Sequence, residues 1–478
     1  MTTTSVVAPR RRGAALLLGA QWMRYVSQLL GMVVLARLVS PAEFGVVALA
    51  ATLAGFAAVL GDFGLSMAAL RAPTLSAAQR TLLFWTNTAI GILATVLVIA
   101  AAPPFAAVYG NPFLVPVLAL LAPAFALRSM SAQFRVELNR AGLLGRLAAA
   151  ELAGDLTGLV AAIVLATLGG GALALASQGT IAAGLTLVIT AVLTPWRPGW
   201  PRRGVDMREL LTFGGHTFVV HALNYVSGVT GTLAMGRVAN ESTVGLFSRA
   251  TQLVNLPIDQ LITPLTRVVI PSLVDATGAP LQHRLSTYQT VLSYPVLAYL
   301  SLFAVSAEPA IHVVFGGRWD DAAIYVPVLA VGAVFQTLGY PQYWAFVATG
   351  RSDLLLWCEA TGRILMIVLV VTAAGLGPFA ITVAMSIGQV VLWGAAFLLL
   401  PRAGVSSVAL LSASVRPVTV FAIAAGVASL IDLSFFTPLD PLARLLATGG
   451  VWAIVVSAAL VLVARRDLRS LWGALRRR

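Results

Sequence analysis

Long apolar runs recur along the whole chain, and they constrain the fold more than any other feature of the sequence. An α-helix needs roughly 20 mostly apolar residues to cross the hydrocarbon core of a bilayer. Runs of that kind follow one another from residue 13 to residue 464. Mean hydropathy is +0.91 and 10% of residues are charged, whereas soluble domains carry about 25%. The sequence therefore predicts an all-α polytopic membrane protein.

Helix breakers separate these runs and set the number of spans. Proline pairs or Pro-Gly clusters stand between many of them, for example at 103–104, 195–201 and 375–378. We therefore expect about 14 transmembrane helices, arranged as two pseudo-symmetric six-helix bundles with two extra C-terminal helices. The predicted spans lie near 13–39, 44–70, 80–102, 113–135, 146–168, 171–193, 208–232, 244–270, 287–307, 322–346, 354–374, 376–400, 412–433 and 441–464.

Arginine divides the loops into two alternating sets. All 31 basic residues are Arg, and they concentrate in every second loop and in the terminal segments 10–12 and 465–478. The other set, which includes 103–112, 169–171 and 375–378, holds almost none. Cytoplasmic loops of membrane proteins collect cations, so we expect both termini in the cytoplasm and the chain in a bacterial inner membrane. The net charge of +13 has the same cause, and nucleic acid is not expected as a partner.

An internal repeat relates the two halves of the chain. If helices 1 and 7 both start in the cytoplasm, the halves are parallel repeats, an architecture found in transporters. The alternative is chance similarity between apolar segments. A shift of 200 residues superposes 24–27 on 224–227, Gly31 on Gly231, Arg37 on Arg237 and Gly45 on Gly245. The predicted domains are an N-terminal bundle at 1–200, a C-terminal bundle at 201–403, and helices 13 and 14 with a basic tail at 404–478.

Arg24 lies about 11 residues into the first predicted span, roughly 16 Å deep. Gln21 and Gln28 share its helix face. A charge buried in lipid costs at least a few kcal/mol, so an uncompensated guanidinium here indicates a wet cavity for an anion such as phosphate. The alternative is an ion pair with an acid on a neighbouring helix, for which Asp155 and Glu151 are the candidates.

Arg249 lies in the eighth predicted span and shares a helix face with Gln252, Leu256 and Asp259. A second anion-binding position fits this pattern. Snorkelling of the long side chain to the outer membrane interface fits it equally.

Four polar positions are candidates for ion coupling: Glu359, Arg363, Asn224 and Asp259. Glu359 precedes Arg363 by four residues, the spacing of an intrahelical ion pair, and a neutral structural pair is the favoured interpretation. Such a pair could also exchange a partner for a proton or Na⁺ during transport. On helix 7, Asn224 and His221 fit either a cation contact or close helix packing.

Signatures of soluble enzymes are missing from the sequence. It has no Gly-Lys-Ser/Thr phosphate loop, no Cys/His metal spacing and no nucleophile elbow. We therefore expect no catalytic residue, no metal, no ATP hydrolysis and no cofactor beyond a coupling ion, Na⁺ or H⁺. Asp320 and Asp321 resemble the outer-loop acids of lipid-sugar glycosyltransferases, although a short solvated turn is the simpler interpretation.

Several segments resemble the polysaccharide-biosynthesis flippases, the Wzx-type O-antigen and exopolysaccharide exporters of the multidrug/oligosaccharidyl-lipid/polysaccharide superfamily. The resemblance rests on 35–45 (LARLVSPAEFG), 60–65 (LGDFGL), 236–250 (GRVANESTVGLFSRA), 256–257 (LP) and 271–273 (PSL). It covers nearly the whole chain. The segments are degenerate one by one and specific in combination.

The resemblance implies that the chain moves an undecaprenyl-diphosphate-linked oligosaccharide from the inner to the outer leaflet. It implies a cavity lined by cations that meet the pyrophosphate, with Arg24 and Arg249 in that role, and partners such as a polysaccharide polymerase and chain-length machinery. Relatives often carry an Asp where this chain has Gly231, so a carboxylate ion site on helix 7 is not expected. The alternatives are a multidrug cation antiporter, or a membrane glycosyltransferase or polymerase.

Overall fold

The computed structural model describes residues 11–62, 69, 75–201 and 208–463, and every regular element in them is helical. The first compact unit, 1–229, holds α1 (Arg11–Leu38), α2 (Pro41–Asp62), α3 (Ala77–Tyr109), α4 (Leu114–Leu121), α5 (Pro123–Arg140), α6 (Leu144–Thr167), α7 (Gly171–Leu193) and most of α8 (Arg208–Val238). The second unit, 230–478, holds α9 (Glu241–Pro257), α10 (Thr263–Val274), α11 (Gly278–Val305), α12 (Ala307–Phe315), α13 (Val326–Ala348), α14 (Ser352–Ala373), α15 (Pro378–Leu399), α16 (Ser407–Ile431) and α17 (Pro441–Val463).

Nine helical segments within the described residues are long and apolar enough to cross a membrane, and up to eleven if two bent pairs each form one span. The chain is therefore a multi-pass membrane protein, as its hydropathy predicts. The total of 14 spans and the boundaries at 200 and 403 stay predictions. Part of the predicted span 44–70 lies outside the described residues.

Two predicted boundaries are wrong in an informative way. Helix α3 does not end at the proline pair but continues through Pro103 and Pro104 to Tyr109, where Gly110 closes it at φ 65°. Proline fits the helical φ and sacrifices only a backbone hydrogen bond, which membrane helices tolerate. The predicted span 322–346 begins instead with a 3₁₀ helix, Gly317–Ile324, which bends 53° into α13.

The predicted span 244–270 is not one regular helix. A π-helical turn, Ile258–Ile262, separates α9 from α10. Pro257 ends α9 and Pro264 lies at the start of α10. The two prolines are seven residues apart and have no backbone N–H group, so regular helical hydrogen bonds are missing on both sides of the turn. The turn adopts the i→i+5 pattern instead.

Glycines bring α6 and α7 together in the first unit. A side-chain carbon at Gly154 would lie 2.7 Å from the Ala182 carbonyl oxygen, and one at Gly158 would lie 2.5 Å from the Gln178 carbonyl oxygen. Backbone cannot move aside as a flexible side chain can, so these two positions need glycine. Small residues four apart are the usual means of close helix approach in membranes. Asp155 is the next residue after Gly154, so this contact between α6 and α7 fixes its position.

The internal repeat is visible in the helix ends and in one pair of glycines. Helices α1 and α8 end at Leu38 and Val238, positions that the 200-residue shift superposes. Gly31 packs against Leu159 of α6, and Gly231 packs against Met385 of α15. At both positions, the missing side chain of glycine makes room for a side chain of another helix in the same unit.

Candidate functional site

A charged cluster in the first unit joins α1 to α5 and α6, and the segments that contain α5 and α6 are long and apolar enough to cross a membrane. The Nε atom of Arg24 on α1 is 2.7 Å from Oδ2 of Asp155, and its Nη1 atom is 3.3 Å from Oε2 of Glu151. Both acids are on α6, four residues apart and hence on one helix face. Arg24 and Asp155 are still 43% and 40% exposed, so the pair borders open space.

Helix α5 adds two more arginines to the same place. Arg135 forms an ion pair with Oε1 of Glu151. Arg128 is exposed, and its guanidinium makes no hydrogen bond or ion pair with any residue that the structure describes. It interacts at longer range with Asp155, Arg24 and Arg135. We call these five residues the arginine cluster.

The arginine cluster carries a surplus positive charge. Its three guanidinium groups face two carboxylates. Arg128 is the group without a direct partner among the described residues. Arginine stays charged at any physiological pH, so guanidinium groups outnumber carboxylates by one at this site.

The cluster shows the surroundings of Arg24, on which both interpretations depend. Its guanidinium is not uncompensated, as the anion-cavity prediction assumed, because both candidate acids pair with it. Those acids are on α6 and are the two candidate partners named from the sequence. Gln28 is exposed on α1, and the side chain of Gln21 lies outside the described part of the chain. Whether these residues bind substrate stays a prediction.

Arg128 is the residue that the sequence analysis missed. It lies 15 residues into the predicted span 113–135, well below the membrane surface at either end. The depth argument that selected Arg24 would have selected it too. Arg135, the last residue of that predicted span, contacts Glu151.

The second unit holds the other predicted site residues. Arg249 on α9 donates to Oε1 of Gln252 at 2.5 Å, in line with their predicted common face. Asp259 is exposed in the π-helical turn. The Glu359 Oε2 and Arg363 Nε atoms are 2.6 Å apart within α14, so the predicted intrahelical pair is confirmed.

Asp259 and this ion pair approach a common neighbour. Tyr340 on α13 interacts electrostatically with Asp259, Glu359 and Arg363, and it is hydrogen-bonded to Gln336.

Asn224 belongs to the first unit, and its carbonyl oxygen accepts from the Ser227 hydroxyl. The side chain of His221 lies outside the described residues.

A small cavity of about 60 Å³ lies between α9, α13 and α15. One of its lining groups, the Thr251 hydroxyl, is buried without a hydrogen-bond partner among the described residues. A site that is polar and large enough for water satisfies such groups with ordered solvent. The polar lining residues are all neutral: Thr251, Asn255, Gln336, Ser386 and Gln389.

Acids near the ends of the spans have partners of their own. Asp320 contacts Nδ1 of His312 through both carboxylate oxygens, at 2.9 and 3.1 Å. Arg444 binds Asp432 through two nitrogens, at 2.7 and 3.0 Å, and Glu308 through a third at 3.0 Å. These contacts tie the ends of neighbouring helices together.

The sequence profile of one family, described as polysaccharide biosynthesis protein, matches residues 34–324. The chain belongs to this family. The resemblance predicted from the motifs is thereby confirmed, and the match includes Arg24's partners on α6 and the α5 arginines of the cluster.

Curated relatives agree with this assignment. The lipopolysaccharide biosynthesis protein WzxC of Escherichia coli (strain K12) is 24% identical over 356 residues, which are 70% of each chain. The succinoglycan biosynthesis transport protein ExoT of Rhizobium meliloti (strain 1021) is 26% identical over 62% of this chain and 61% of its own. The teichuronic acid biosynthesis protein TuaB of Bacillus subtilis (strain 168) is 23% identical over 64% of each. The chain thus spans less than two thirds of the length of the last two.

Solved structures identify the fold. A lipid II flippase, MurJ, in an inward closed conformation has a TM-score of 0.70 at 13% identity, covering 94% of this chain and all of its own. An inward-facing multidrug-resistance MATE transporter has a TM-score of 0.61 at 18% identity, covering 82% and 98%. The family has the fold of these membrane transporters.

Proposed function

We propose that this protein is a flippase that carries a lipid-diphosphate-linked oligosaccharide from the inner to the outer leaflet of the bacterial cytoplasmic membrane. It would act by alternating access, during exopolysaccharide or O-antigen assembly, with both termini in the cytoplasm. It would perform no covalent chemistry. The family, the transporter fold and the arginine cluster support the proposal together.

The observation that carries the proposal is the surplus charge of the arginine cluster. A bare guanidinium inside a membrane span costs at least a few kcal/mol, so a chain retains one there only for a purpose. Arg128 is exposed and has no direct partner among the described residues. A diphosphate is a compact anion with several acceptor oxygens, and guanidinium groups match such oxygens in pairs.

The cluster gives each arginine a separate role. Arg128 would make the first contact with the diphosphate, since its donors are not engaged by described residues. Arg24 would follow once it leaves its acids. Arg135 would stay with Glu151 and fix the cytoplasmic side of the cluster. We also propose that Arg249, together with Gln252, is an anion-binding position in the second unit.

Ion coupling is a further part of the proposal. Asp259, Asn224 and the Glu359–Arg363 pair are candidate positions for Na⁺ or H⁺. The common neighbour Tyr340 supports a link between Asp259 and the pair. Polymerase and chain-length proteins would act on the exported product.

The second candidate is a multidrug cation antiporter, favoured by the likeness to a MATE transporter at a TM-score of 0.61. A cation carrier needs acids in excess at its site. The arginine cluster has the opposite sign, because guanidinium groups outnumber carboxylates. Electrostatic repulsion of an organic cation argues against this candidate.

Transport by purified protein in proteoliposomes tests the proposal. The substrates would be a fluorescent farnesyl-diphospho-N-acetylglucosamine and its monophosphate analogue, under separate proton and sodium gradients. We expect the wild type to move the diphosphate, and Arg128→Gln to move it at least about tenfold more slowly, the loss expected for one charge-assisted hydrogen bond.

Arg318→Gln, which removes an arginine outside the cluster, is the matched control and should transport normally. Equal rates for wild type and Arg128→Gln would refute the role of the cluster. Movement of an organic cation and not of either sugar lipid would establish the antiporter instead.

A further inference from the structure

The two acids of the arginine cluster use the same donors that a diphosphate would need. Arg24 donates through Nε to Asp155 and through Nη1 to Glu151. A guanidinium has five N–H groups in a planar fork, and two of its three nitrogens are engaged here. A diphosphate can bind Arg24 in a bidentate manner along its Nε edge only if Asp155, which occupies Nε, gives up its place.

The two acids are not held equally. Glu151 contacts two arginines, Arg24 and Arg135, and is 20% exposed. Asp155 contacts only Arg24 directly among the described residues and is 40% exposed. If Arg24 turns to a diphosphate, Glu151 keeps Arg135 as its partner. Asp155 then loses its direct partner.

A carboxylate without a partner does not stay ionised at membrane depth. Removing the counter-charge in a medium of low polarity favours the neutral acid, because desolvation penalises the charged form. Arg128 is the remaining cation near Asp155, and it would be engaged by the diphosphate. The charged groups that act on Asp155 are Arg24 on α1, Arg128 on α5 and Glu151 on α6. The helices around α6 carry other charged residues: Arg11, Arg12 and Arg37 on α1, Arg135, Glu137 and Arg140 on α5, none on α7, and Arg146 on α6 itself.

The charge balance gives the same result. Three guanidinium groups and two carboxylates leave one positive charge. A diphosphate diester carries two negative charges, so the loaded cluster would hold one negative charge in excess. Uptake of one proton makes the loaded cluster neutral, which is the state that hydrocarbon surroundings favour.

We infer that Asp155 is an internal counter-anion that a diphosphate displaces from Arg24, and that the displaced carboxyl takes up one proton. This inference rests on the proposed function, because it requires the cluster to bind a diphosphate. It assigns to Asp155 a positioning role before binding and a proton-accepting role afterwards. No bond other than the O–H bond forms, and the proton comes from the solvent.

Calorimetric titration of the full-length protein in detergent tests the inference. The probe is farnesyl-diphospho-N-acetylglucosamine, titrated in buffers that differ in ionisation enthalpy, so that proton uptake is measured directly. We expect the wild type to take up about one proton on binding and to bind about tenfold more tightly for each unit that the pH falls, as linkage requires over the titrating range.

Asp155→Asn should bind the probe with no proton uptake and with little dependence on pH. Asp353→Asn, which changes an exposed acid paired with Arg351, is the control and should take up the proton as the wild type does. Binding without proton uptake by the wild type overturns the inference, and this result needs no variant to fold. Proton uptake that persists in a folded Asp155→Asn also overturns it.

The binding results distinguish a failure of this inference from a failure of the proposed function. If the wild type does not bind the diphosphate probe, or binds the monophosphate analogue equally well, the proposed function fails. If it binds the diphosphate selectively at a pH-independent affinity, the proposed function survives and only the role of Asp155 is lost.

Discussion

The two compact units treat membrane-embedded polarity in opposite ways. The first concentrates charge: three arginines and two acids from three helices meet in one cluster, with a cation left over. In the second unit, Glu359 and Arg363 form an ion pair within one helix, and the cavity between α9, α13 and α15 is lined by neutral polar groups. The two sites therefore differ in their electrostatics.

The difference suggests a division of labour. A surplus cation binds an anionic headgroup, whereas a neutral polar cavity holds water or a small ion at modest cost. If the first unit supplies headgroup affinity, changes in its charges should alter transport strongly. Changes at Glu359, at Arg363 or in the cavity of the second unit should then act mainly on stability or on coupling.

The largest expected effect comes from Arg24→Gln. It removes the only direct partner that Asp155 has among the described residues and one partner of Glu151. We expect transport of the diphosphate lipid to fall by at least about tenfold and the melting temperature to fall as well. Arg24→Gln combined with Asp155→Asn should recover melting temperature without recovering transport, measured by thermal unfolding and by proteoliposome flux.

Recovery of transport in that double variant would mean that Arg24 serves only to neutralise its acid. The contrast between the two units would then be lost, because the first unit would hold only a structural ion pair, as the second unit does. The single variant Asp155→Asn supplies the matching baseline for both measurements.

An intermediate effect is expected from Glu359→Gln. It leaves Arg363 without its intrahelical acid, and an uncompensated arginine in a span costs about 2.5–3.5 kcal/mol at the helix centre. Both side chains are partly exposed, at 26% and 20%, so we expect a smaller loss in the free energy of unfolding. Glu359→Gln with Arg363→Gln should restore most of it.

Denaturation in mixed micelles would measure the four members of this cycle. The coupling between the two residues should be about 1 kcal/mol. If the double variant is as stable as the wild type but has lost gradient-driven transport, the pair also takes part in ion coupling.

The smallest effect is expected from Thr251→Val. The Thr251 hydroxyl is buried and has no hydrogen-bond partner among the described residues, so replacing it with a methyl group of similar size should raise stability by about 1 kcal/mol. Thermal unfolding in potassium and in sodium buffer would measure this. A loss of stability, above all one confined to sodium buffer, would show that the cavity holds an ion or ordered water.

The sequence predicts best those features that depend on residues within a few positions of each other. The ion pair between Glu359 and Arg363 was predicted correctly because residues four positions apart on a helix lie next to each other. The long apolar runs predicted membrane helices because the bilayer sets their length. The resemblance in 35–45 and 236–250 predicted the family. These features need no knowledge of how helices pack.

Contacts between distant segments could not be derived in this way. Arg24 and Asp155 are 131 positions apart, and only the packing of α1 on α6 brings them together. The π-helical turn after Pro257 and the continuation of α3 through Pro103 depend on tertiary surroundings. Arg128 could have been found from its depth, but its lack of a direct partner among described residues is visible only in the structure.

The most direct test of the surplus-charge account is the ratio of affinities for the diphosphate and monophosphate sugar lipids. That ratio would be measured in wild type and in Arg128→Gln by fluorescence titration in the same detergent. We predict that the wild type prefers the diphosphate and that Arg128→Gln loses this preference while its melting temperature is unchanged. An undiminished preference in the folded variant would contradict the account.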